Sequence, residues 1–431
     1  MTLTFARWLG TLCVALSGSA FGQFRVPDTL SPEQAARFER FETFQIKGVC
    51  GVRDLERLSE GGVNTVRGYT IPSPGEMTKT LDRVHELGMK MVVSEWMPHH
   101  GENKDRRGGT YRFDYDKRRE IMVAKFIDKV EGIGDHPALL MWGLGNEVHL
   151  DEPYLRTVNE MSKAVHERFP HHVTSLTMIN AKPEAIEAVK KYAPDLDVLG
   201  IQSYSVGAVR GAIRNTETHW RKPFYVSEFN GKGPWNFKKT EWGEAFDEPV
   251  DRKVSDVHSC YDAIDASELC LGSTIFVWGH FGVNRPTYFS MLLDEHPDGR
   301  TASGPEDMLV TPQAEAMIER FSGRPIGGNR APVLTSLKYE AGTPALTVSA
   351  GERFGVTLDA TDADGDRVTY AGWVLDSKPN RAKAVSGPFD SRESNAVQIE
   401  APSKAGEYLV MIYALDGNGG ASASTLPLRV R

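Results

Sequence analysis

Eight short apolar segments, separated by stretches with helical spacing, constrain the fold of this chain more than any other feature. The segments are almost continuously apolar instead of alternating, which is typical of parallel strands buried on both faces. Eight such strands that alternate with helices predict an α/β fold, a (β/α)8 or TIM barrel, for which ~250 residues is a typical length. The segments are 44–49, 63–69, 89–96, 138–147, 173–178, 197–204, 223–229 and 271–279.

The character of the chain changes where glycine, proline and asparagine cluster at 323–332. The residues that follow form short segments of alternating polarity, such as "RFGVTLDA" and "GEYLVMIYALD", separated by turn signals. This pattern predicts a small antiparallel β-sandwich. We therefore expect a barrel at 23–325, a linker at 326–331 and an all-β sandwich domain at 332–431.

The first 22 residues have the composition of a secretory signal peptide. One early cation, Arg7, precedes an apolar stretch from Trp8 to Leu16, and small residues at Ala20 and Gly22 suit cleavage before Gln23. The apolar stretch is shorter than the ~20 residues that a membrane-spanning helix needs. The sequence therefore predicts export to the periplasm or the extracellular space, without membrane insertion.

The charge balance excludes two classes of partner. The net charge is -8 and the pI is ≈ 5.9, with no run of lysine or arginine. Binding to nucleic acid without regard to sequence, or to an anionic membrane, needs a concentrated basic face, so neither is expected. Beyond the signal peptide the chain has three cysteines, Cys50, Cys260 and Cys270. The odd number argues against a disulfide framework and favours buried thiols, with a single bridge as the alternative.

Two glutamates stand at the ends of predicted strands, where a barrel of this kind carries its chemistry. Glu147 ends the fourth segment, "ALLMWGLGNE", and Glu228 lies near the end of the seventh, "PFYVSEF". Across the barrel mouth, such a pair can cleave one glycosidic bond, with retention if the carboxyls are ~5 to 5.5 Å apart. One carboxyl must then be kept neutral while the other is kept ionised by donors, for which Arg67 and Tyr204 are suitable.

Four motifs resemble the catalytic barrel of clan A glycoside hydrolases, which include β-galactosidases, β-glucuronidases and β-1,3-glucanosyltransferases. They are "NTVRGY", "WGLGNEV", "YVSEF" and "FVWG", and the likeness covers about residues 44 to 320. It implies that Glu147 is the acid/base and that Glu228 is the nucleophile. "VRGY" and "GNEV" are also similar to fungal β-1,3-glucanosyltransferases and some bacterial β-glucanases. The C-terminal "ATDADGDRVTYAGW" looks like the opening strands of cadherin-like or PKD-like modules.

The same resemblance implies roles for four further residues. Asn146 would bind the sugar 2-hydroxyl, Arg67 and Tyr204 would support the nucleophile, and Trp278 would form the floor under the sugar. The alternatives are a bond to a loop carbonyl for Asn146, an ion pair holding the barrel mouth for Arg67, and a core position for the two aromatic residues. Only a structure separates these roles.

For other residues near the open end of the predicted barrel, the sequence allows two interpretations each. Trp96 and Trp235 follow the third and seventh segments, where aromatic faces suit sugar rings, although packing within surface loops is equally expected. Glu95 is either a binding residue or a member of an ion pair. His99, His100 and His149 match no metal-ligand spacing, so no metal is expected there. The stretch "DATDADGD" at 359–366 lacks the closing Glu of a calcium loop and predicts a turn, with calcium as the alternative.

Together these features predict an exported retaining β-glycoside hydrolase that acts on a β-linked oligo- or polysaccharide of the glucan or galactoside type. The mechanism requires no cofactor. Two alternatives stay open at this point, a transglycosylase that remodels a β-glucan and a catalytically inactive carbohydrate-binding protein. Nothing in the sequence separates water from a sugar as the acceptor.

Overall fold

The computed structural model describes residues 24–105, 107–281, 286–294, 307–377, 384–391 and 395–431. The signal peptide predicted for residues 1–22 lies outside these ranges and stays a prediction. Within them, no helix combines the length and the apolar character that crossing a membrane requires.

Eight parallel strands close into a barrel, as the sequence predicts. Each strand pairs with the next along the chain, and the first pairs with the last. Between the barrel strands and after them, four short strands of the described residues pair into two small antiparallel sheets. The strands of this part are β1 Ile46–Cys50, β2 Thr65–Arg67, β3 Lys90–Glu95, β4 Gly101–Lys104, β5 Thr110–Phe113, β6 Leu139–Asn146, β7 Thr174–Ile179, β8 Val198–Tyr204, β9 Phe224–Asn230, β10 Cys270–Ile275, β11 Leu292–Leu293 and β12 Leu309–Val310.

Helices connect the strands and begin where the sequence supplies capping residues. The Ser73 side chain accepts from the backbone of Glu76, and the Glu76 side chain accepts from the backbone of Ser73, a reciprocal cap before Pro74. Asp151 caps the helix after β6 in a similar way, through the backbone N–H of Tyr154. The helices are α1 Pro32–Phe38, α2 Leu55–Glu60, α3 Pro74–Glu86, α4 Tyr115–Ile133, α5 Glu152–Arg168, α6 Pro183–Tyr192, α7 Val206–Asn215, α8 Val250–Asp265, α9 Pro286–Phe289 and α10 Pro312–Ser322.

The N-terminal segment closes one end of the barrel. Phe24, Phe38 and Phe41 belong to one buried cluster with residues near the starts of the barrel strands, including Ile46 and Val198. Their aromatic rings stabilise this end by burying apolar surface. The opposite end, where the strands terminate, is therefore the face that carries the site.

The hairpin of β4 and β5 is an element that the sequence pattern does not predict. The two strands pair in antiparallel register between β3 and α4. Because "GENK" contains no apolar side chain, the alternation that marks a half-buried strand is absent. The hairpin follows the loop that carries Trp96.

The C-terminal residues form two further sheets, which confirms the expected all-β domain after the barrel. Leu334 and Val356 of one sheet share a buried apolar cluster with Val410 and Leu428 of the other. The likeness to cadherin-like or PKD-like modules stays a prediction. One sheet contains β13 Val333–Tyr339, β15 Arg353–Thr361 and β18 Ala396–Glu400, and the other contains β14 Leu346–Val348, β16 Thr369–Asp376, β17 Ala384–Ser391, β19 Gly406–Leu415 and β20 Ala421–Val430.

The aspartates between β15 and β16 form a bend, as predicted. Asp362 Oδ1 accepts the backbone N–H groups of Asp364 and Asp366 at 2.9 and 3.0 Å. The three carboxylates bring one oxygen each within 4.8 Å of one another, so the calcium alternative stays a prediction. The three cysteines of the described residues, Cys50, Cys260 and Cys270, are buried and unpaired, which confirms the expectation of buried thiols.

Candidate active site

The carboxylate of Glu228 is surrounded by donors at the C-terminal end of β9. Its Oε1 accepts from Arg67 Nη1, the Tyr69 hydroxyl and Gln202 Nε2, each at 2.7 Å. Its Oε2 accepts from the Tyr204 hydroxyl, also at 2.7 Å. The residue is 4% exposed. The bond from Arg67 is charge-assisted, and this fully buried guanidinium supplies a positive charge beside the buried carboxyl group.

The two tyrosines act as donors over the whole physiological pH range. Burial, followed by the negative charge of Glu228, raises the pKa of the Tyr204 hydroxyl far above its usual range. Burial also raises the pKa of Tyr69, with the Cys50 thiol adding to the effect and Arg67 opposing it. Both hydroxyls therefore keep their protons and direct them at Glu228.

Asn146, the last residue of β6, is held in one orientation. Its Oδ1 accepts from Arg67 Nη2 at 2.7 Å and from Gln202 Nε2 at 2.6 Å. A guanidinium has only donors, so the atom that faces Arg67 must be the amide oxygen. The Nδ2 group of this half-buried side chain is then left to donate to a ligand, and the bond to a loop carbonyl, the alternative considered for Asn146, is not observed among its contacts.

Glu147 follows directly in a tight turn. Its backbone has a φ of 52°, in the left-handed region that non-glycine residues rarely adopt, and Gly145, two residues earlier, has a φ of 89°. A side chain at Gly145 would also meet the Tyr154 hydroxyl at 2.6 Å. That hydroxyl donates to Leu144 O at 2.6 Å and ties α5 to β6. The turn is thus fixed from both sides, and strain of this kind is often found at functional sites.

The two carboxyl groups have contrasting surroundings. Burial, followed by the negative charge of Glu228, raises the pKa of Glu147 above its usual range, while the positive charge of Arg67 opposes the shift. Glu228 has four donors at its oxygens. General-acid and nucleophilic catalysis together need a carboxyl group with a raised pKa beside one that is held by hydrogen-bond donors.

The pH dependence of activity is expected to follow from the raised pKa of Glu147. As pH rises through this pKa, the acid loses the proton that it must donate, so kcat/KM should fall on the alkaline side, at a pH above the ordinary titration range of a glutamate.

Replacing Glu228 with Gln removes the neighbouring negative charge and should lower the pKa of Glu147. A ¹³C NMR titration of labelled glutamate in the wild type and in Glu228→Gln measures this shift, and an unchanged or increased pKa would contradict it.

Tyr204→Phe is expected to lower kcat by roughly 10- to 100-fold, because it removes the hydrogen bond that fixes Glu228 Oε2. The aromatic ring stays in place, so the fold should not change. Tyr261→Phe is the matched control, since the Tyr261 hydroxyl is buried with no hydrogen-bond partner in the described part of the chain. Steady-state kinetics of both variants decide the point, and equal rates would remove Tyr204 from the site.

Trp278 does not form the floor of the mouth, which corrects the sequence-based assignment. Its side chain is 1% exposed, and its backbone N–H donates to Cys50 O at 3.0 Å. A ring that supports a sugar must present one face to the cleft. β10 ends at Ile275, three residues before Trp278, and the core position is the one observed.

The other predicted residues at the mouth have mixed outcomes. Trp96 and Trp235 are exposed, at 58% and 60%, so each ring presents surface to a ligand. The ring of Trp235 lies 5.6 Å from that of Tyr204, whereas Trp96 is placed only by its position after β3. Glu95 belongs to an ion pair, since Lys129 Nζ lies 2.6 Å from its Oε1. The rings of His99 and His149 lie 4.6 Å apart and bring the loops after β3 and β6 together.

The sequence analysis assigned no role to two of the donors to Glu228, Gln202 and Tyr69, or to two phenylalanines near Tyr204. Gln202 lies two residues before Tyr204 in β8, and Tyr69 lies two residues after Arg67. The period of two along a strand places Gln202 and Tyr204 on one face of β8, so this signal was available for Gln202, whereas Tyr69 lies beyond the end of β2. No strand period could have indicated Phe276 and Phe289, because both follow β10 in the chain. Their ring centroids lie 6.1 and 4.9 Å from that of Tyr204.

No protein-family model and no curated protein sequence matches this chain. Its structure is similar to the GH53 catalytic domain of Ignisphaera aggregans, with 14% identity, a TM-score of 0.41 and coverage of 59% of this chain and 84% of that one. It is similar to the GH10 xylanase from Bispora sp. MEY-1 with xylobiose, with 9% identity, a TM-score of 0.46 and coverage of 67% of this chain and 99% of that one. It is also similar to Saccharomyces cerevisiae Gas2p in complex with laminaripentaose, with 15% identity, a TM-score of 0.42 and coverage of 65% of each chain.

These likenesses are to glycoside hydrolase barrels, the group that the four sequence motifs resemble. This chain spans slightly less than two thirds of the length of the yeast chain. Similarity at such identities and TM-scores carries no assignment of activity, which has to rest on the geometry of the site.

Proposed function

We propose that this protein is a retaining β-glycoside hydrolase that uses Glu228 as nucleophile and Glu147 as acid/base. The observation that carries the proposal is the contrast between the two carboxyls. Glu228 is buried and accepts four hydrogen bonds, one of them from a buried arginine, while burial and the charge of Glu228 raise the pKa of Glu147. The signal-like composition of residues 1–22 supports action outside the cytoplasm.

The geometry suits a double displacement. Oε1 of Glu228 accepts three donors, so Oε2, which accepts only from Tyr204 among the described residues, is the oxygen suited to attack the anomeric carbon. A bond forms between Oε2 and that carbon while the glycosidic bond breaks, and Glu147 gives its proton to the departing oxygen. Glu147, now ionised, then takes a proton from water or from an acceptor hydroxyl, which displaces Glu228 and restores both groups. No cofactor takes part.

Asn146 supports recognition of the sugar in this scheme. Its Oδ1 is occupied by Arg67 and Gln202, which leaves Nδ2 to donate to the hydroxyl next to the reacting carbon. Hydrogen bonds at this hydroxyl strengthen in the transition state of glycoside cleavage. We propose a β-linked glucan or galactoside as substrate, supported by the resemblance of "VRGY" and "GNEV" to β-glucan-acting enzymes.

The test is a panel of β-linked gluco-, galacto- and glucurono-oligosaccharides incubated with the protein and with Glu228→Gln. Product length is followed by mass spectrometry, and the anomeric form of the first product by ¹H NMR. Shortened β-anomeric products that require Glu228 are expected. Lengthened products would assign a transglycosylase, initial α-anomers would overturn retention, and no reaction across the panel would favour the inactive carbohydrate-binding protein.

A further inference from the structure

The loop between β9 and α8, residues 231–249, reaches from the candidate active site to the C-terminal β domain. Its base is closed by an ion pair in which Lys232 Nζ lies 2.6 Å from Glu248 Oε1. Within it, the backbone N–H of Phe246 donates to Lys238 O at 3.0 Å, next to an antiparallel bridge, so the loop is a closed hairpin. One part of the loop carries Trp235 at the mouth, and another carries Asp247.

Asp247 is bonded to the last strand of the β domain. Its Oδ2 accepts from Ser424 Oγ and from the backbone N–H of Thr425, both at 3.2 Å. Its Oδ1 lies 2.7 Å from Lys253 Nζ on α8, and the two side chains are only 1% and 5% exposed. A buried ion pair with these extra bonds is geometrically demanding, and removing one partner leaves an uncompensated charge.

Lys253 continues the connection towards the nucleophile. Its Nζ donates to Thr287 O at 2.8 Å, which holds α9. Phe289, at the end of α9, lies 4.9 Å from the Tyr204 ring and 5.9 Å from the Trp235 ring, measured between centroids. We call Tyr204, Trp235 and Phe289 the aromatic wall. The wall is continuous with Glu228 through the Tyr204 hydroxyl.

We propose that Asp247 is a positioning residue through which the β domain holds the aromatic wall beside Glu228. The β domain is then a structural part of the catalytic unit and not an appended binding module. This inference rests on the proposed function for its kinetic consequence, but its structural part is independent of it. The proposal is argued from the hydrogen bonds and the ion pair that lead from Ser424 to α9, and from the ring contacts that lead from α9 to Tyr204 and so to Glu228.

The test compares Asp247→Asn with Asp197→Asn in the full chain. Asp197 is a close match, since it pairs with the buried Arg37 and accepts from the backbone N–H and the hydroxyl of Thr174, near the start of a barrel strand. Ser424→Ala is a milder change that removes one bond to Asp247. Hydrogen–deuterium exchange is followed in 231–249 and 286–289, together with kcat and KM on the best oligosaccharide.

Asp247→Asn is expected to increase exchange in both segments and to lower kcat/KM by roughly 10- to 100-fold. Ser424→Ala should act in the same direction with smaller amplitude, and Asp197→Asn should change neither property. Unchanged exchange in the wall, or increased exchange with unchanged kcat/KM, would overturn the proposal, as would an equal kinetic loss in Asp197→Asn. If the wild-type protein cleaves no substrate, the proposed function fails, and the exchange data still decide whether Asp247 holds the wall.

Discussion

Glu228→Gln is expected to reduce turnover of a β-glycoside by about 10⁴-fold or more, because an amide cannot form the glycosyl–enzyme bond. The amide keeps the shape of the side chain and one acceptor for Arg67, Tyr69 and Gln202, so the far-UV circular dichroism should match that of the wild type. The measurement is kcat on the best substrate of the panel.

The control for Glu228→Gln is Asp197→Asn, which removes a buried, arginine-paired carboxylate near the strand starts. It should keep wild-type turnover even if it destabilises the fold. An undiminished rate in Glu228→Gln, or an equal loss in both variants, would contradict the role of Glu228 as nucleophile.

Glu147→Gln is expected to lower kcat by about 10²- to 10⁴-fold for oligosaccharides, whose departing oxygen needs a proton. In aryl β-glycosides with acidic phenols the phenolate can depart without a proton. Formation of the glycosyl–enzyme from these substrates should therefore be nearly unaffected. The second step then limits the rate, because no base activates water.

Azide distinguishes this account from simple damage to the site. It needs no base, so it should accelerate Glu147→Gln on an activated aryl glycoside and give a β-glycosyl azide, which NMR identifies. A uniform loss across leaving groups, without an effect of azide, would show that Glu147 is not the acid/base.

The barrel was predictable because buried parallel strands leave a strong local signal, and the eight apolar segments all became barrel strands. The glutamates at the ends of the fourth and seventh strands were predictable from the rule that barrel chemistry sits at strand ends. The same rule gave a wrong role for Trp278, because a single sequence does not show at which residue a strand ends. Its apolar run continues to residue 279, while the chain leaves the barrel after Ile275.

The contacts of the β9–α8 loop could not be predicted from a single sequence. Asp247 and Ser424 are 177 residues apart, and neither lies in a periodic pattern that marks a partner. The same holds for Phe289, which reaches Tyr204 through a short helix of only four residues. Local pattern sets the elements, whereas contacts between loops depend on how the finished elements pack.

The most direct test of the two-glutamate mechanism is to trap its covalent intermediate. The protein is incubated with activated 2-deoxy-2-fluoro β-glycosides of glucose and galactose, which form the glycosyl–enzyme faster than they release it, and the labelled residue is located by peptide mass spectrometry. A single sugar on Glu228, absent in Glu228→Gln, is the predicted result. A sugar on Glu147 or another residue, or no adduct from a protein that cleaves the parent glycosides, would contradict the mechanism.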